Sequence, residues 1–161
     1  MDAQELEKLK QFIIEAHANT YASDSSKPVM PSRPGSTDFK HFNKQGWLYL
    51  DSYYGGRRFI GEEIVRAQRD QTIWGMNYYG GVTKEGMDYK PVYSFLKKVL
   101  RIGVEDGIPF RGPSYWTTEV FTYESHMDGD LSEFSGEEFI YYKNEIVYYA
   151  RFHGGLVDEI S

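Results

Sequence analysis

Phe59-Ile-Gly-Glu-Glu-Ile-Val returns later in the chain as Phe134-Ser-Gly-Glu-Glu-Phe-Ile, and no other feature restricts the fold as much. Placing Phe59 on Phe134 sets Gly61 on Gly136, Glu62 on Glu137 and Glu63 on Glu138. Deleting one residue in the following turn then sets Gly80-Gly81-Val82 on Gly154-Gly155-Leu156. A match at both ends of a hairpin predicts a duplicated unit, since self-similarity at a fixed offset is how repeated structure shows in sequence. The competing reading, chance recurrence of Gly-Glu-Glu in two unrelated hairpins, has to produce both matches independently.

The flanks suit a unit of one helix followed by antiparallel strands. Residues 1–22 predict a helix, with Asp2 as its cap, Glu5 at the capping-box position, and Leu6, Leu9, Ile13 and Ala16 on one face. The stretch SDSSKPVMPSRPGS predicts an extended connector. TDFKHFNKQGWLYLDSYY predicts two strands about a turn at Lys44–Gly46, and the next hairpin should turn near Arg69-Asp70. Gly55-Gly56, Gly80-Gly81 and Gly154-Gly155 are read as strand ends. A second helix follows, with Asp88 as N-cap, Pro91 in its first turn, and Val92, Phe95, Leu96, Val99 and Leu100 as a core stripe. Gly103 is expected just past its end. SYWTTEVFTYESH, SEFSGEEFIYYK and EIVYYARFH then predict three strands, with turns at Asp128-Gly129 and over Lys143–Glu145.

Neighbouring residues of a strand face opposite ways, so the paired glutamates of each copy cannot be equivalent. A turn at Arg69-Asp70 sets Glu63 opposite Met76 and Val65 opposite Trp74. Glu63 then shares a face with Phe59, Gly61, Trp74 and Tyr78. Glu138 shares one with Phe134, Ile140, Tyr142, Ile146, Tyr148, Ala150 and Phe152. Glu62 and Glu137 point the other way, Glu137 opposite Arg151. A carboxylate on an apolar face must be paired, hydrogen-bonded or protonated. Either the core satisfies Glu63 and Glu138, or they line an aromatic cleft and receive a ligand's donors.

Composition narrows the function classes. Fourteen tyrosines suit half-buried sheets and clefts, where a large ring is covered and its hydroxyl stays wet. A net charge of −6 with no basic stripe argues against nucleic acid. The absence of cysteine excludes disulfides, thiolate metal sites and cysteine nucleophiles. No apolar leader and no membrane-length run is present, so a cytoplasmic location without membrane contact is expected.

The segments RPGSTDF, WLYLDSYYGGRRFIGEE, WGMNYYGGV, FSGEEFI and VYYARFHGGLV together resemble a bacterial domain family of unknown function. The likeness covers about residues 20–157, with matching positions that include Asp38, Phe39, Asp51, Tyr53, Gly61, Glu63, Trp74, Met76, Asn77, Tyr78 and Gly80. Members of that family occur alone or behind an XRE-type helix-turn-helix domain. The resemblance implies no specific activity. The acidic first helix and the Pro-rich connector here do not form a helix-turn-helix, so this chain is expected to act without one.

Chemistry-bearing patterns are sparse. The histidines at 17, 41, 126 and 153 lack paired ligand spacing. HMDGDLSE offers oxygens but not the spacing of a calcium loop, and no metal or cofactor is expected. No GxSxG or phosphate-cradling glycine motif occurs, and no catalytic residue is assigned.

The expectation is one α+β domain, residues 1–161, with halves at 1–82 and 83–161. Related helix-plus-antiparallel-hairpin halves form a curved antiparallel sheet with two helices packed on it. The favoured function is binding of a small molecule or peptide without catalysis, through Glu63, Glu138, Trp74, Asp51, Tyr53, Asn77 and Tyr148. The second reading is a carboxylate-dependent hydrolase acting on a carbohydrate-like substrate, for which paired carboxyl groups are needed. The third is a protein–protein interaction module, such as a homodimer through exposed tyrosines.

Overall fold

The computed structural model describes residues 1–23, 25–67 and 71–158. The chain runs helix α1 (Ala3–Asn19), strands β1 (Thr37–Phe42), β2 (Leu48–Gly55), β3 (Arg58–Arg66) and β4 (Thr72–Val82), helix α2 (Tyr89–Glu105), then β5 (Tyr115–Thr117), β6 (Phe121–Asp130), β7 (Glu133–Tyr142) and β8 (Glu145–Leu156). Helix-plus-four-strands thus occurs twice. All eight strands form one antiparallel sheet in the order β1-β2-β3-β4-β8-β7-β6-β5, so the two meanders meet at β4 and β8 and mirror one another outward. This is the α+β class expected, with both helices on the sheet.

Local chemistry sets the helices. The Glu5 amide donates to Asp2 Oδ1 and the Asp2 amide to Glu5 Oε2, both at 2.9 Å, closing a capping box. Asp88 caps α2 by accepting from the Lys90 amide at 3.0 Å. Leu9, Ile13 and Ala16 of α1 pack on Tyr49, Val65, Trp74 and Met76. Val92, Phe95, Leu96 and Val99 of α2 pack on Tyr123, Ile140, Val147 and Tyr148. Each buried Leu, Ile, Val or Phe contributes about 1.5–3 kcal/mol. Phe59 touches both clusters and links the halves. The opposite face of the sheet is open, with Ile60, Asn77 and Tyr79 exposed.

The register at the first hairpin is the one expected, Glu63 opposite Met76 and Val65 opposite Trp74. The Arg69-Asp70 turn itself lies outside the described residues. The turn at Lys44–Gly46 is also the one expected, whereas two later turns differ. The β6–β7 connection is Leu131-Ser132, not Asp128-Gly129, which sits within β6. Asp130 Oδ1 accepts from the Ser132 amide at 2.8 Å, and the Leu131 carbonyl accepts from the Trp74 indole N–H. A side-chain turn plus a tertiary anchor outweighs the local Asp-Gly preference. The β7–β8 loop has two residues, Lys143 and Asn144, both at positive φ as a type I′ turn requires. A bulge after Ile140 then restores the expected pairing of Glu138 with Ala150. Beyond the bulge the faces swap, so Val147 is buried and Ile146 exposed, the reverse of the expectation. SYWTTEVFTYESH is not one strand, because Thr118 Oγ1 accepts from the Val120 and Phe121 amides and turns the chain between β5 and β6.

Two readings of glycine also change. Gly80-Gly81 and Gly154-Gly155 lie inside β4 and β8 rather than ending them. They form the seam between the halves, where a Cβ on Gly80 would stand 2.4 Å from that of Ala150. Gly103 does not follow α2 but lies buried within it. The C′ role falls to Gly107, at φ +74°. A Cβ on Gly103 would stand 2.4 Å from the Arg111 carbonyl oxygen.

Helix propensity alone favours Gly103→Ala by up to about 1 kcal/mol. The backbone contact decides otherwise. Thermal unfolding is expected to show Gly103→Ala destabilised by about 1–3 kcal/mol, the range of core overpacking. An unchanged or raised midpoint would remove the close approach of the 111–112 backbone to α2.

Candidate functional site

The repeated Phe-x-Gly-Glu-Glu places its parts by strand alternation. Glu62 and Glu137 face outward, where Glu62 pairs with Arg33 at 2.5 Å and Glu137 with Arg151 at 3.7 Å. Glu63 and Glu138 face the helices, exposed by 1% and 0%. The glycine two residues earlier makes room for a ring from the next strand. A Cβ on Gly61 would meet the Tyr78 hydroxyl at 2.4 Å, and one on Gly136 would meet the Phe152 ring at 2.4 Å.

Glu138 is saturated. Arg111 donates to it through Nη2 at 2.8 Å and through Nε at 3.3 Å. Tyr123 and Tyr148 each donate a hydroxyl at 2.7 Å. Burial pushes this carboxyl upward, but the Arg111 charge and these hydrogen bonds outweigh it and hold Glu138 below the usual carboxylate range. Arg111 comes from the loop between α2 and β5, and its guanidinium also lies 5.7 Å from the Tyr78 ring centre.

The first half is less complete. His17 of α1 contacts Glu63 Oε2 through Nε2 at 2.8 Å. Glu63 Oε1 and the Tyr49 hydroxyl are buried with no partner. Asp51, opposite Glu63 across β2 and β3, accepts from the Tyr78 hydroxyl at 2.5 Å and is 3% exposed. Burial, then the Glu63 charge, push its carboxyl up to about 8 against the pull of Tyr78 and Arg111. Burial also raises the phenols of Tyr21, Tyr49 and Tyr78, so they stay protonated donors.

Asp51 forms the floor of a cleft of about 360 Å³ between α2 and the sheet. Tyr53, Phe59, Tyr78 and Tyr93 supply aromatic walls, Arg111 shares the floor, and Lys97 stands among the lining residues. Tyr21, just past α1, also reaches it. Another depression, about 700 Å³, lies near the β5–β6 turn around Thr118, Glu124 and Tyr141. It gathers no buried charged group, so the Asp51 cleft is the better-built site.

Of the residues singled out in the sequence, the structure brings Asp51 and Tyr53 together in this cleft. Glu63 stands beside Asp51 on the neighbouring strand. Glu138 and Tyr148 are reached through Arg111. Trp74 does not line the cleft; it stacks with Phe134 at 5.9 Å in the α1 core. Asn77 is exposed on the opposite face. Sequence reasoning passed over His17, Tyr21, Tyr93 and Arg111. His17 follows Ile13 at i+4 on the apolar stripe, and Arg111 stands alone in a loop between Pro109 and Pro113, which are the only signals either gave.

The class so defined is an α+β domain whose two helices cover one face of an eight-stranded antiparallel sheet, with an acidic floor in an aromatic cleft. The chain belongs to the DUF5680 family, a domain of unknown function, which matches residues 51–157. That span includes Asp51, Glu63, Arg111 and Glu138 but not α1 or β1. No curated protein and no solved structure matches the chain.

Two outcomes follow from the buried charges. Arg111→Ala is expected to cost about 3–5 kcal/mol in chemical denaturation, because it strands the Glu138 carboxylate. The unfolded chain releases the Asp51 proton near pH 4, whereas the folded protein keeps it to about 8. The folded state therefore binds more protons between those values, and stability falls as pH rises through that window, by up to about 1.4 kcal/mol per unit. Denaturation from pH 5 to 8 is expected to lose that component of the slope in Asp51→Asn. An unchanged slope in the variant would show that Asp51 ionises normally.

Proposed function

We propose that this domain binds a small molecule or a short peptide segment without catalysing a reaction, and that the Asp51 cleft is its binding site. The observation that carries this reading is a concave, tyrosine-walled cavity ending on a buried carboxyl whose hydrogen-bond partner is one phenol. Its size suits a compact organic ligand, since ligand sites are mostly apolar clefts with a few convergent polar groups. The duplication of a helix-plus-four-strand unit, the bacterial origin that the family resemblance implies, and a cytoplasmic location belong to the same proposal.

The hydrolase reading is weaker. Glycoside hydrolysis needs two carboxyl groups free to act across the scissile bond. Glu138 is held by Arg111 and two tyrosines, which leaves it no proton to give and no lone pair aimed at a substrate. The interaction-module reading has Ile60 and Tyr79 exposed side by side on the open face. Isolated apolar residues of that kind are common on protein surfaces.

Thermal-shift screening against metabolites, sugars, nucleotides and short peptides tests the proposal. A ligand at a hundred times its Kd adds about 2.7 kcal/mol, worth several degrees in a domain of this size. The stabilisation is expected to vanish in Tyr53→Ala and Tyr93→Ala. A ligand that stabilises those variants as well as the wild type binds elsewhere and overturns the assignment.

A further inference from the structure

The charges around the cleft do not balance. Asp51, Glu63 and Glu138 are buried carboxyls within one connected region, and Arg111 is its one buried guanidinium among the described residues. Arg111 is committed to Glu138 through both Nε and Nη2. Glu63 has His17 on one oxygen and nothing on the other. Among the described residues Asp51 has no basic partner within hydrogen-bond range, only the Tyr78 hydroxyl. Burying a carboxylate is costly unless it is paired. The unpartnered Glu63 Oε1 and Tyr49 hydroxyl mark the same neighbourhood as unfinished, because buried polar atoms normally have partners.

The walls suit the missing charge. Faces of tyrosine and phenylalanine rings attract cations, most strongly where water is excluded. Phe59, Tyr53, Tyr78 and Tyr93 surround the cavity. One such contact is already made, with the Arg111 guanidinium over Tyr78.

Resting on the cleft as the binding site, we propose that its ligand is an organic cation, an ammonium group on an apolar or aromatic body, whose charge settles against Asp51, with the Glu63 carboxyl behind it on the neighbouring strand. The cation takes the place of the proton that the Asp51 carboxyl otherwise carries, so binding ejects that proton to solvent and charge is conserved. The groups that face Asp51 from each packed element agree with this. Glu63, Tyr49, Tyr53 and Tyr78 come from the sheet, His17 from α1, Tyr21 from the segment after it, Arg111 from the loop after α2, and Tyr93 and Lys97 from α2. Asp38 on β1 adds a further negative charge. Lys97, half-buried, stands among the lining residues on the α2 side.

Isothermal titration calorimetry with three probes tests this. Benzyltrimethylammonium carries a charge that does not titrate, neopentylbenzene is its neutral carbon isostere, and phenylacetate is an anion of similar size. Titration in buffers of different ionisation enthalpy counts the protons released. Preference for the cation by tenfold or more is expected, with close to one proton released at pH 7. Its affinity should rise with pH by up to about tenfold per unit below 8 and then level off. Asp51→Asn should abolish both the proton release and the pH dependence, and Glu63→Gln should weaken binding independently. If the neutral probe binds the cleft as well as the cation, or the anion binds better, the cation is overturned while the cleft stands as a binding site. Cation binding without proton release overturns the exchange with Asp51. If none of the probes binds at millimolar concentration, or if binding survives Tyr53→Ala and Tyr93→Ala, the cleft and the cation fail together.

Discussion

The ion pair between Arg111 and Glu138 is the interaction on which the rest of the interior depends. A carboxylate on the apolar face of a sheet, with no solvent contact, survives only if its charge and lone pairs are met on the spot. The second half is arranged to meet them. Tyr123 on β6 and Tyr148 on β8 flank Glu138 on β7 and donate from either side. Gly103 removes a side chain from α2 so that the Arg111 backbone can lie against the helix and deliver its guanidinium inward. The same guanidinium then spreads over Tyr78 of the first half and forms part of the cleft floor. Core and cleft share one charge.

The first half presents the same frame with a different solution. Tyr49 lies opposite Val65 as Tyr123 lies opposite Ile140, two positions from Glu63 and Glu138 respectively. Each helix has 17 residues, and His17 and Gly103 stand at the same place, two before the last. Where α2 has no side chain and admits an arginine from a loop, α1 fills the space with an imidazole that reaches Glu63 directly. An imidazole meets one carboxylate oxygen where a guanidinium meets two. Ser125, opposite Glu138, is replaced in the first half by Asp51, opposite Glu63. The half with fewer donors thus holds the additional acid, and the cleft opens there.

Periodicity made much of this legible. Alternation in FIGEEIV and FSGEEFI is enough to separate Glu63 from Glu62 and Glu138 from Glu137, because a buried face tolerates no one-residue slip. Spacing of three and four showed both helices and their caps. What stayed hidden depends on contacts between segments distant in sequence. Asp128-Gly129 has a strong turn preference, but Leu131 is claimed by Trp74 and moves the turn. Gly103 looks like a helix terminator until Arg111 is seen to need its space. Arg111 and His17 carry no local signature of ion pairing, since the glutamates they meet are 27 and 46 residues away. Asp51 and Tyr53 were found among the positions that match the family resemblance. Tyr21 and Tyr93 come from a connector and a helix whose placement no strand pattern fixes.

The position of the cleft follows from how two helices cover eight strands. Seven inter-strand spacings make a sheet roughly 34 Å across, whereas two helices side by side cover about 20–24 Å. Part of the inner face must be roofed by something else. α1 ends at Asn19, and Tyr21 beyond it together with α2 covers the Asp51 end of the first meander. Strands of one half are there roofed by the helix of the other. Such a junction needs large adaptable side chains rather than interlocking aliphatic ones, and it is met with tyrosine, whose ring fills space while its hydroxyl remains available to a carboxyl. The tyrosines that line the cleft, its acidic floor and its open volume therefore share one cause, a sheet wider than its helices.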